Sequence, residues 1–225
     1  MKHKLYHGSS KIIKNPTFGV GKRYNDYGLG FYCTESLDMS KEWGVGENYD
    51  GFANCYDFED ADLTTFNLMD DSFCILHWLS ILLQNREFEL DSDVAAAAKD
   101  YILAHFPVST DTSDVICGYR ADDSYFSFAQ NFLNGTISYS QLNEAMRLGK
   151  LGQQYVIRSE RAFERLTFTG VESAPRDQWF AKKKSRDSEA RETYRRMFKG
   201  YKPGELYITR IMDEGLSTDD LSAEQ

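Results

Sequence analysis

The chain has 225 residues, of which 41% are hydrophobic and 14% aromatic, and its formal net charge is −9. This length and composition predict one sizeable domain, or one domain with a tail, that can build its own core. The acidic balance argues against a protein whose main task is to coat nucleic acid, but it is compatible with an enzyme that contacts nucleic acid through a local basic patch.

Four cysteines are scattered through apolar surroundings, at positions Cys33, Cys55, Cys74 and Cys117. None forms a CxxC pair, so no zinc site is indicated, and the pattern is typical of free buried thiols in a reducing cytoplasm. The N-terminus lacks an apolar signal core, and the longest apolar run, at 73–83, is too short and interrupted to span a membrane. We therefore expect a cytoplasmic protein with no membrane segment and no metal.

The amino-terminal part predicts short strands and one short helix. A first strand over 4–9 ends in a His-Gly-Ser sequence, and a polar loop then leads to the stretch 26–34. That stretch combines glycines at alternate positions with an aromatic run, which predicts a turn followed by a buried strand. A helix over 35–43 follows, with Ser36 as its N-cap.

The middle of the chain predicts strands and helices in mixed order. Strands and helices are expected at 51–58 (strand), 63–68 (strand), 73–84 (helix), 92–106 (helix), 114–120 (strand), 125–133 (helix), 140–148 (helix), 152–158 (strand), 160–166 (helix) and 167–171 (strand). The helix over 73–84 is hydrophobic nearly all round and is therefore predicted to be buried, with Asp71 or Ser72 as its cap. Because strands and helices do not alternate strictly, an α+β fold is favoured.

The composition changes at residue 176. Segment 176–202 has ten Lys or Arg against four Asp or Glu, so it carries +6 and the rest of the chain −15. We expect a long surface helix at about 185–198, a last short helix and a frayed acidic tail at 218–225. The predicted domains are accordingly 1–175 and a basic helical extension, 176–225, packed on or beside it. The extension is either a solvated helix face or a binding site for nucleic acid or an acidic partner.

Common catalytic signatures are missing from the sequence: there is no GxGxxG after a strand, no phosphate-binding P-loop, no GxSxG and no HExxH. Of the histidines, His77 and His105 lie in or at the end of helices and are expected to have structural roles. His7 differs because it stands at a strand end beside a glycine. There it can either point a ring nitrogen at a ligand hydroxyl or serve as a satisfied structural histidine.

Four short motifs occur in a fixed order, at Leu5–Ser9, Asp26–Thr34, Gly118–Phe126 and Gly152–Ser159. Together they resemble the ADP-ribosyltransferase superfamily, in the branch of diphtheria toxin and the poly(ADP-ribose) polymerases. The likeness is closer to a toxin-like bacterial family of that superfamily with His, Tyr and Gln motifs, common beside small antitoxin-like genes. The resemblance covers about residues 4–170 and implies a split β-sheet core with flanking and inserted helices.

The resemblance also implies roles in binding NAD. His7 would bond the adenosine ribose, the Gly8 backbone the nicotinamide carboxamide, and Ser9 the nicotinamide-side ribose. Tyr32 would stack on the nicotinamide ring. Further cofactor contacts are expected along the glycine-rich strand, from Gly30, Phe31 and Thr34.

Gln154 would stand where the polymerases have their catalytic glutamate, with Gln153 as the adjacent alternative. Strand alternation puts only one of the two on the NAD side, and the Tyr-Val context favours Gln154. A glutamine can orient the ribose hydroxyl but carries no charge, so elongation of an ADP-ribose chain is not expected.

The strand end near residue 120 offers further candidates. Arg120 could bind the NAD pyrophosphate, and Asp122 or Asp123 could deprotonate an acceptor. The alternative is an Asp helix cap with a surface ion pair.

The sequence therefore predicts a cytoplasmic mono-ADP-ribosyltransferase that passes ADP-ribose from NAD to a protein or nucleic acid. Toxin-antitoxin or phage-defence systems are the expected setting, with an antitoxin protein as a further partner. Two alternatives stay open: an NAD glycohydrolase without a macromolecular target, and a binding module for NAD or ADP-ribose that has lost catalysis.

Overall fold

A computed structural model describes residues 1–90, 92–120, 123–148, 152–198 and 201–222, with the main chain alone at 123–125, 197 and 222. The described chain is a mixed α+β protein. Its strands are β1 (Lys2–Ser9), β2 (Phe31–Cys33), β3 (Gly51–Glu59), β4 (Thr65–Asn67), β5 (Val115–Tyr119), β6 (Gln153–Ile157) and β7 (Leu166–Ala174). Its helices are α1 (Leu37–Gly44), α2 (Ile75–Asn85), α3 (Asp93–His105), α4 (Asp123–Leu133), α5 (Tyr139–Ala145), α6 (Glu160–Phe163), α7 (Arg176–Met197), α8 (Ile208–Glu214) and α9 (Thr218–Ser222).

The described residues divide into two compact units that interleave along the chain. The first unit draws on 1–67, 110–120 and 151–188, and the second on the remaining segments. The sequence predicted a single boundary after residue 175. The observed units follow packing instead, because all seven strands share the first unit whereas most helices belong to the second.

The first unit holds two sheets. One is the antiparallel sheet β1-β3-β7, and the other has the order β2-β6-β5-β4, in which only the β4–β5 pair is parallel. Inward-facing residues of both sheets build one hydrophobic core with α6: Leu5, Phe31, Cys33, Tyr56, Phe58, Val115, Ile157 and Ala162. Burying side chains of this size stabilises the unit by about 2 kcal/mol each.

Among the described residues, one main-chain bridge joins the two sheets. Tyr6 N–H donates to Thr34 O at 2.8 Å, and Thr34 N–H donates to Tyr6 O at 2.9 Å. The bridge connects the middle of β1 to the residue that follows β2. The predicted α+β fold is confirmed. The bridge between the two sheets joins the strand of the Leu5–Ser9 motif to the end of the Asp26–Thr34 motif.

The second unit is helical, and its capping corrects one prediction. Helix α2 is buried along nearly its whole length, as expected from its apolar sequence. Its N-cap is Cys74, however, so the expectation of Asp71 or Ser72 was wrong. Cys74 and His77 form a reciprocal cap, in which Cys74 N–H donates to His77 Nδ1 at 3.0 Å. A thiol–imidazole cap has no signature in the usual capping preferences.

The basic segment is helical from its beginning. Helix α7 begins at Arg176, immediately after Pro175, rather than at about 185 as predicted. Proline suits the start of a helix, because its missing N–H needs no partner there. Trp179 is buried against Val45 and Ala174, which holds this first turn in place. The predicted frayed tail was also wrong in part, since 218–222 form helix α9.

All four cysteines are buried and free, as predicted. In the portion of the chain that is described, no helix has the length and apolar character needed to cross a bilayer. The described residues also contain no group of three or more His, Cys, Asp or Glu that could hold a metal ion.

Candidate functional site

Strands β1 and β2 separate immediately beyond their bridge, and we call this opening the β1–β2 gap. The register of the Tyr6–Thr34 bridge would next place Gly8 opposite Tyr32. No main-chain hydrogen bond joins Gly8 to Tyr32 in the described structure. Main-chain groups two residues apart in an antiparallel strand point to the same side, so the N–H and C=O of Gly8 face the gap.

The imidazole of His7 takes part of the space that a continuous sheet would fill. Its Nδ1–H donates to Tyr32 O at 2.7 Å, and its ring stacks on Phe31 with centroids 4.2 Å apart. Burial lowers the pKa of His7, so the neutral ring is favoured. Because Nδ1 donates, Nε2 is the acceptor, and within the described residues it has no partner.

Tyr32 is half-buried and held rigidly by its own loop. Its hydroxyl donates to Gly28 O at 2.6 Å and accepts from Tyr27 N–H at 3.1 Å. Gly28 adopts a positive φ of 73°, which a residue with a side chain rarely adopts. The ring is therefore pre-positioned beside the gap, as a stacking surface requires.

Gly30 and Phe31 serve the fold rather than an open binding surface. A Cβ on Gly30 would lie 2.5 Å from Val156 Cγ1, so the missing side chain makes room for β6. The sequence predicted a cofactor contact at Gly30, but the space beside its Cα is filled by Val156. Phe31 is buried, packs edge-on against Tyr56 and supports the ring of His7 from the core side.

Ser9 and Thr34 are likewise engaged within the protein. Ser9 Oγ accepts from Lys11 N–H at 3.2 Å. Thr34 is buried, and its hydroxyl donates to Gln153 O at 3.3 Å while accepting from Ser36 N–H at 3.2 Å. The Ser9 bond stays within the loop that follows β1, whereas the Thr34 hydroxyl ties the end of β2 to β6.

Gln154 lies on the same face of its sheet as Tyr32. Tyr32 pairs with Val156, and residues two apart along β6 project to one side, so Gln154 shares that side while Gln153 does not. Gln154 is buried, and its Nε2 donates to Tyr119 O at 3.0 Å. This bond fixes the orientation of the amide. Its oxygen, Oε1, is left as a hydrogen-bond acceptor and has no partner in the described part of the chain.

Tyr119 O receives a second hydrogen bond, from the hydroxyl of the buried Tyr27 at 2.6 Å. The carbonyl at the end of β5 is thus fixed by donors from two directions. A carboxylate in place of Gln154 would bring a negatively charged oxygen towards this carbonyl oxygen, and the two would repel. The local structure is built for an amide.

Trp43 is a site residue that sequence reasoning missed. The guanidinium carbon of Arg120 lies 3.7 Å from the centroid of the Trp43 ring. Trp43 Nε1 is buried and has no hydrogen-bond partner among the described residues. A Cβ on Gly8 would come within 2.8 Å of Trp43 Cβ, so α1 packs directly on this part of β1. The sequence placed Trp43 at the end of the helix predicted over 35–43, but nothing there separated a site tryptophan from a core one.

The contacts form a closed ring around the gap. His7 binds Tyr32, the Tyr32 strand pairs with that of Gln154, and Gln154 binds Tyr119. Tyr119 precedes Arg120, which stacks on Trp43, and Trp43 packs beside Gly8. Five chain segments, at residues 7–8, 32, 43, 119–120 and 154, thus meet within the first unit.

Asn54 is a second residue that the sequence did not reveal. This fully buried side chain accepts from Ile13 N–H at 2.7 Å and donates to the carbonyls of His7, at 3.2 Å, and Lys11, at 3.1 Å. It therefore fixes the backbone behind His7 and the start of the following loop. Its position inside an apolar strand is the signal that could have identified it.

Asp122 lies outside the described residues, and at Asp123, the first residue of α4, only the main chain is described. His77 and His105 have structural contacts, as predicted. His77 caps α2, and His105 Nδ1 binds Tyr101 O at 3.0 Å.

The chain belongs to the family described as protein of unknown function (DUF3990), whose family model matches residues 3–168. The match includes β2 to β6, nearly all of β1 and the first three residues of β7, and thus the β1–β2 gap. Comparison with curated proteins and with solved structures gave no match.

Proposed function

We propose that the protein is a mono-ADP-ribosyltransferase that takes NAD into the β1–β2 gap and transfers ADP-ribose to a macromolecule. One observation carries this proposal: the ring of contacts surrounds polar groups that lack partners of their own. Trp43 Nε1–H, Gln154 Oε1 and His7 Nε2 have none among the described residues, and the main chain of Gly8 faces the gap. Such groups in half-buried surroundings favour a polar ligand.

Nicotinamide has the chemistry that this arrangement suits. The Gly8 N–H and C=O offer one donor and one acceptor, which matches the two polar atoms of a carboxamide. Tyr32 supplies a fixed aromatic ring for stacking. His7 Nε2 and Gln154 Oε1 are acceptors for ribose hydroxyls. We assign the pyrophosphate to Arg120, whose guanidinium is held in place by the Trp43 ring.

In the proposed reaction the bond between ribose C1′ and the nicotinamide nitrogen breaks. The bonding pair leaves with nicotinamide, and a nucleophile of the acceptor adds to C1′ and loses its proton. Gln154 would hold the ribose 2′-hydroxyl but offers no negative charge to the oxocarbenium-like transition state. We therefore infer transfer of single ADP-ribose units rather than chain growth, with Asp122 or Asp123 as the proton acceptor.

The test uses NAD labelled in its adenylate part, purified protein and cell lysate. Transfer predicts labelled protein or nucleic acid together with free nicotinamide in equal amount. Absence of both label and released nicotinamide would refute the proposal. The Tyr32→Ala variant serves as the matched inactive control.

The uncharged Gln154 favours a second candidate, an NAD glycohydrolase. Free ADP-ribose released at the same rate with and without lysate would select it. Tight binding of NAD without turnover would instead select a binding module that has lost catalysis.

We further propose that the protein acts in the cytoplasm as a toxin of a toxin-antitoxin or phage-defence system. The motif resemblance supports this setting, and an inhibitor protein encoded beside the chain is then expected. Expression of the chain alone should arrest growth, and co-expression with the neighbouring gene should restore it. Unimpaired growth with an active enzyme would contradict the toxin role.

A further inference from the structure

The loop between β1 and β2 combines exposed cations with exposed apolar side chains. Residues 10–24, here called the 10–24 loop, contain no acidic residue in a chain with a net charge of −9. The cations are Lys11, Lys14, Lys22 and Arg23, and all four are exposed. The apolar side chains are Ile12, Phe18, Val20 and Tyr24, with exposures of 46%, 48%, 67% and 73%. Large exposed apolar groups at this density mark a contact surface.

The loop is held at its base and lies beside the β1–β2 gap. Ile13 is anchored through Asn54, and its carbonyl accepts from the Tyr56 hydroxyl. Phe18 packs edge-on against Phe163, with ring centroids 5.8 Å apart. A Cβ on Gly21 would lie 3.6 Å from Gly30 O, so the loop contacts the residue that immediately precedes β2, the strand that carries Tyr32. The exposed groups are therefore presented next to the proposed reaction centre.

Cations interleaved with aromatic rings suit single-stranded nucleic acid. Lysine and arginine neutralise phosphates, and exposed aromatic rings stack on unpaired bases regardless of their sequence. An acidic peptide would also engage the cations, but it would leave the rings of Phe18 and Tyr24 without a matching group. The composition thus favours a nucleic acid over an acidic protein.

The basic helix α7 is the competing surface, and its cations are more heavily engaged. Arg186 Nε binds Glu42 at 2.8 Å, and Lys182 Nζ lies 3.9 Å from an Asp38 oxygen. The ammonium of Lys182 also lies 4.1 Å from the centroid of the Trp179 ring. In the first unit, these α7 cations thus form ion pairs with carboxylates of α1, whereas the cations of the 10–24 loop are exposed to solvent.

We propose that the 10–24 loop binds single-stranded nucleic acid and holds it as the acceptor beside the β1–β2 gap. The loop would bind nucleic acid whether or not the protein is an enzyme, whereas the role of that nucleic acid as acceptor rests on the proposed transferase function. The expected affinity depends strongly on salt, because phosphate contacts release counterions.

The test measures fluorescence anisotropy of a labelled single-stranded oligonucleotide of mixed sequence, about 12 nucleotides long, without NAD. DNA and RNA versions are compared with the full chain. Lys22→Ala/Arg23→Ala should raise Kd at least about tenfold and reduce the slope of log Kd against log salt by about 1.4. Tyr24→Ala should raise Kd about tenfold through the loss of a stacked base, at an unchanged salt slope.

The matched control is Lys2→Ala/Lys4→Ala, which removes two exposed cations from the start of β1, away from the loop. It should bind like the unmodified chain. Equal weakening by the control, or no binding by the unmodified chain at low salt, would overturn the proposal. So would preferential binding of a polyglutamate peptide with no effect of Tyr24→Ala, which would indicate an acidic protein partner.

Binding and chemistry are separable in this design. Loss of oligonucleotide binding with continued nicotinamide release refutes the loop proposal alone. Normal binding with no nicotinamide release refutes the transferase function and leaves the nucleic-acid surface in place.

Discussion

Two polar clusters in the first unit differ in how completely their groups are paired. At the start of β5, the buried Asp114 accepts from Ser159 Oγ at 2.5 Å and from Arg161 Nε at 2.8 Å. Its second oxygen accepts from Thr64 N–H at 2.7 Å and from the Arg161 guanidinium. At the β1–β2 gap, in contrast, Trp43 Nε1–H has no partner among the described residues.

The difference separates a structural cluster from the proposed binding cluster. Burying a polar group without a partner costs about 1–3 kcal/mol, so several such groups around one opening favour a binding role there. The Asp114 cluster ties the starts of β4, β5 and α6 together, and both oxygens of its carboxylate are paired within the protein. The gap leaves donors and acceptors that a ligand can satisfy.

The largest effect is expected at Tyr32. Tyr32→Ala removes the stacking ring and the two hydrogen bonds that order the loop at Gly28, so NAD turnover should fall at least about 100-fold. Tyr32→Phe keeps the ring and should lose about tenfold or less. Initial rates of nicotinamide release measure both. Equal rates for Tyr32→Ala and the unmodified chain would show that the site is misplaced.

The structural cluster should respond in stability instead. Asp114→Ala removes an acceptor of four hydrogen bonds and should lower the free energy of unfolding by about 2 kcal/mol, measured by urea denaturation. Arg161→Ala should cost less, because this side chain is half-exposed. If Asp114→Ala unfolds at the same urea concentration as the unmodified chain, the cluster does not stabilise the fold.

Asp114 also gives the stability a pH dependence. The Arg161 guanidinium holds the pKa of this carboxyl well below its ordinary value of 3.8. The contribution of Asp114 to the free energy of unfolding is therefore complete above pH 3.8, and it is lost as the pH falls below about 4 towards the lowered pKa. The acid-induced loss should be smaller in Asp114→Ala.

Gln154→Glu tests whether the site is built for an amide. The introduced carboxylate would face Tyr119 O, so we expect NAD turnover to fall about tenfold rather than rise. The turnover of Gln154→Ala should fall by a similar factor, because this variant lacks the oriented amide oxygen. Higher turnover in Gln154→Glu would show that this position is a weakened version of the polymerase glutamate.

The smallest effect is expected from pH at His7. Burial lowers its pKa from the ordinary 6.5, so the neutral ring with an accepting Nε2 predominates at neutral pH. As the pH falls below 6.5 towards the lowered pKa, protonation removes the acceptor, and NAD affinity should decline several-fold. His7→Gln, which does not titrate, should show a flatter profile. Parallel profiles would exclude His7 from binding.

The sequence predicted those elements whose signals are local. Strand β1, the helix cap at Ser36 and the buried α2 follow from periodicity and capping preferences. The pairing of β1 with β3 and the shared core depend on contacts between distant segments, which no local pattern contains. The α7 boundary was missed because the burial of Trp179 depends on Val45, more than 100 residues earlier.

The site shows the same limit. The motifs identified His7, Tyr32 and Gln154, whose side chains are held by hydrogen bonds beside the gap. They did not identify Trp43 or Asn54, which acquire their roles only through the packing of α1 and the loop on β1. The resemblance placed a cofactor contact at Gly30. A glycine in a sequence does not reveal whether a neighbouring strand fills the space beside it, as β6 does here.

Calorimetric titration with NAD tests the central claim most directly, because it measures binding at the β1–β2 gap without assuming turnover. We predict saturable binding of one NAD per chain, clear weakening in Trp43→Phe, which removes the partnerless indole N–H, and loss in Tyr32→Ala. The absence of binding to the folded chain at millimolar NAD, or equal affinity in all three proteins, would contradict the account.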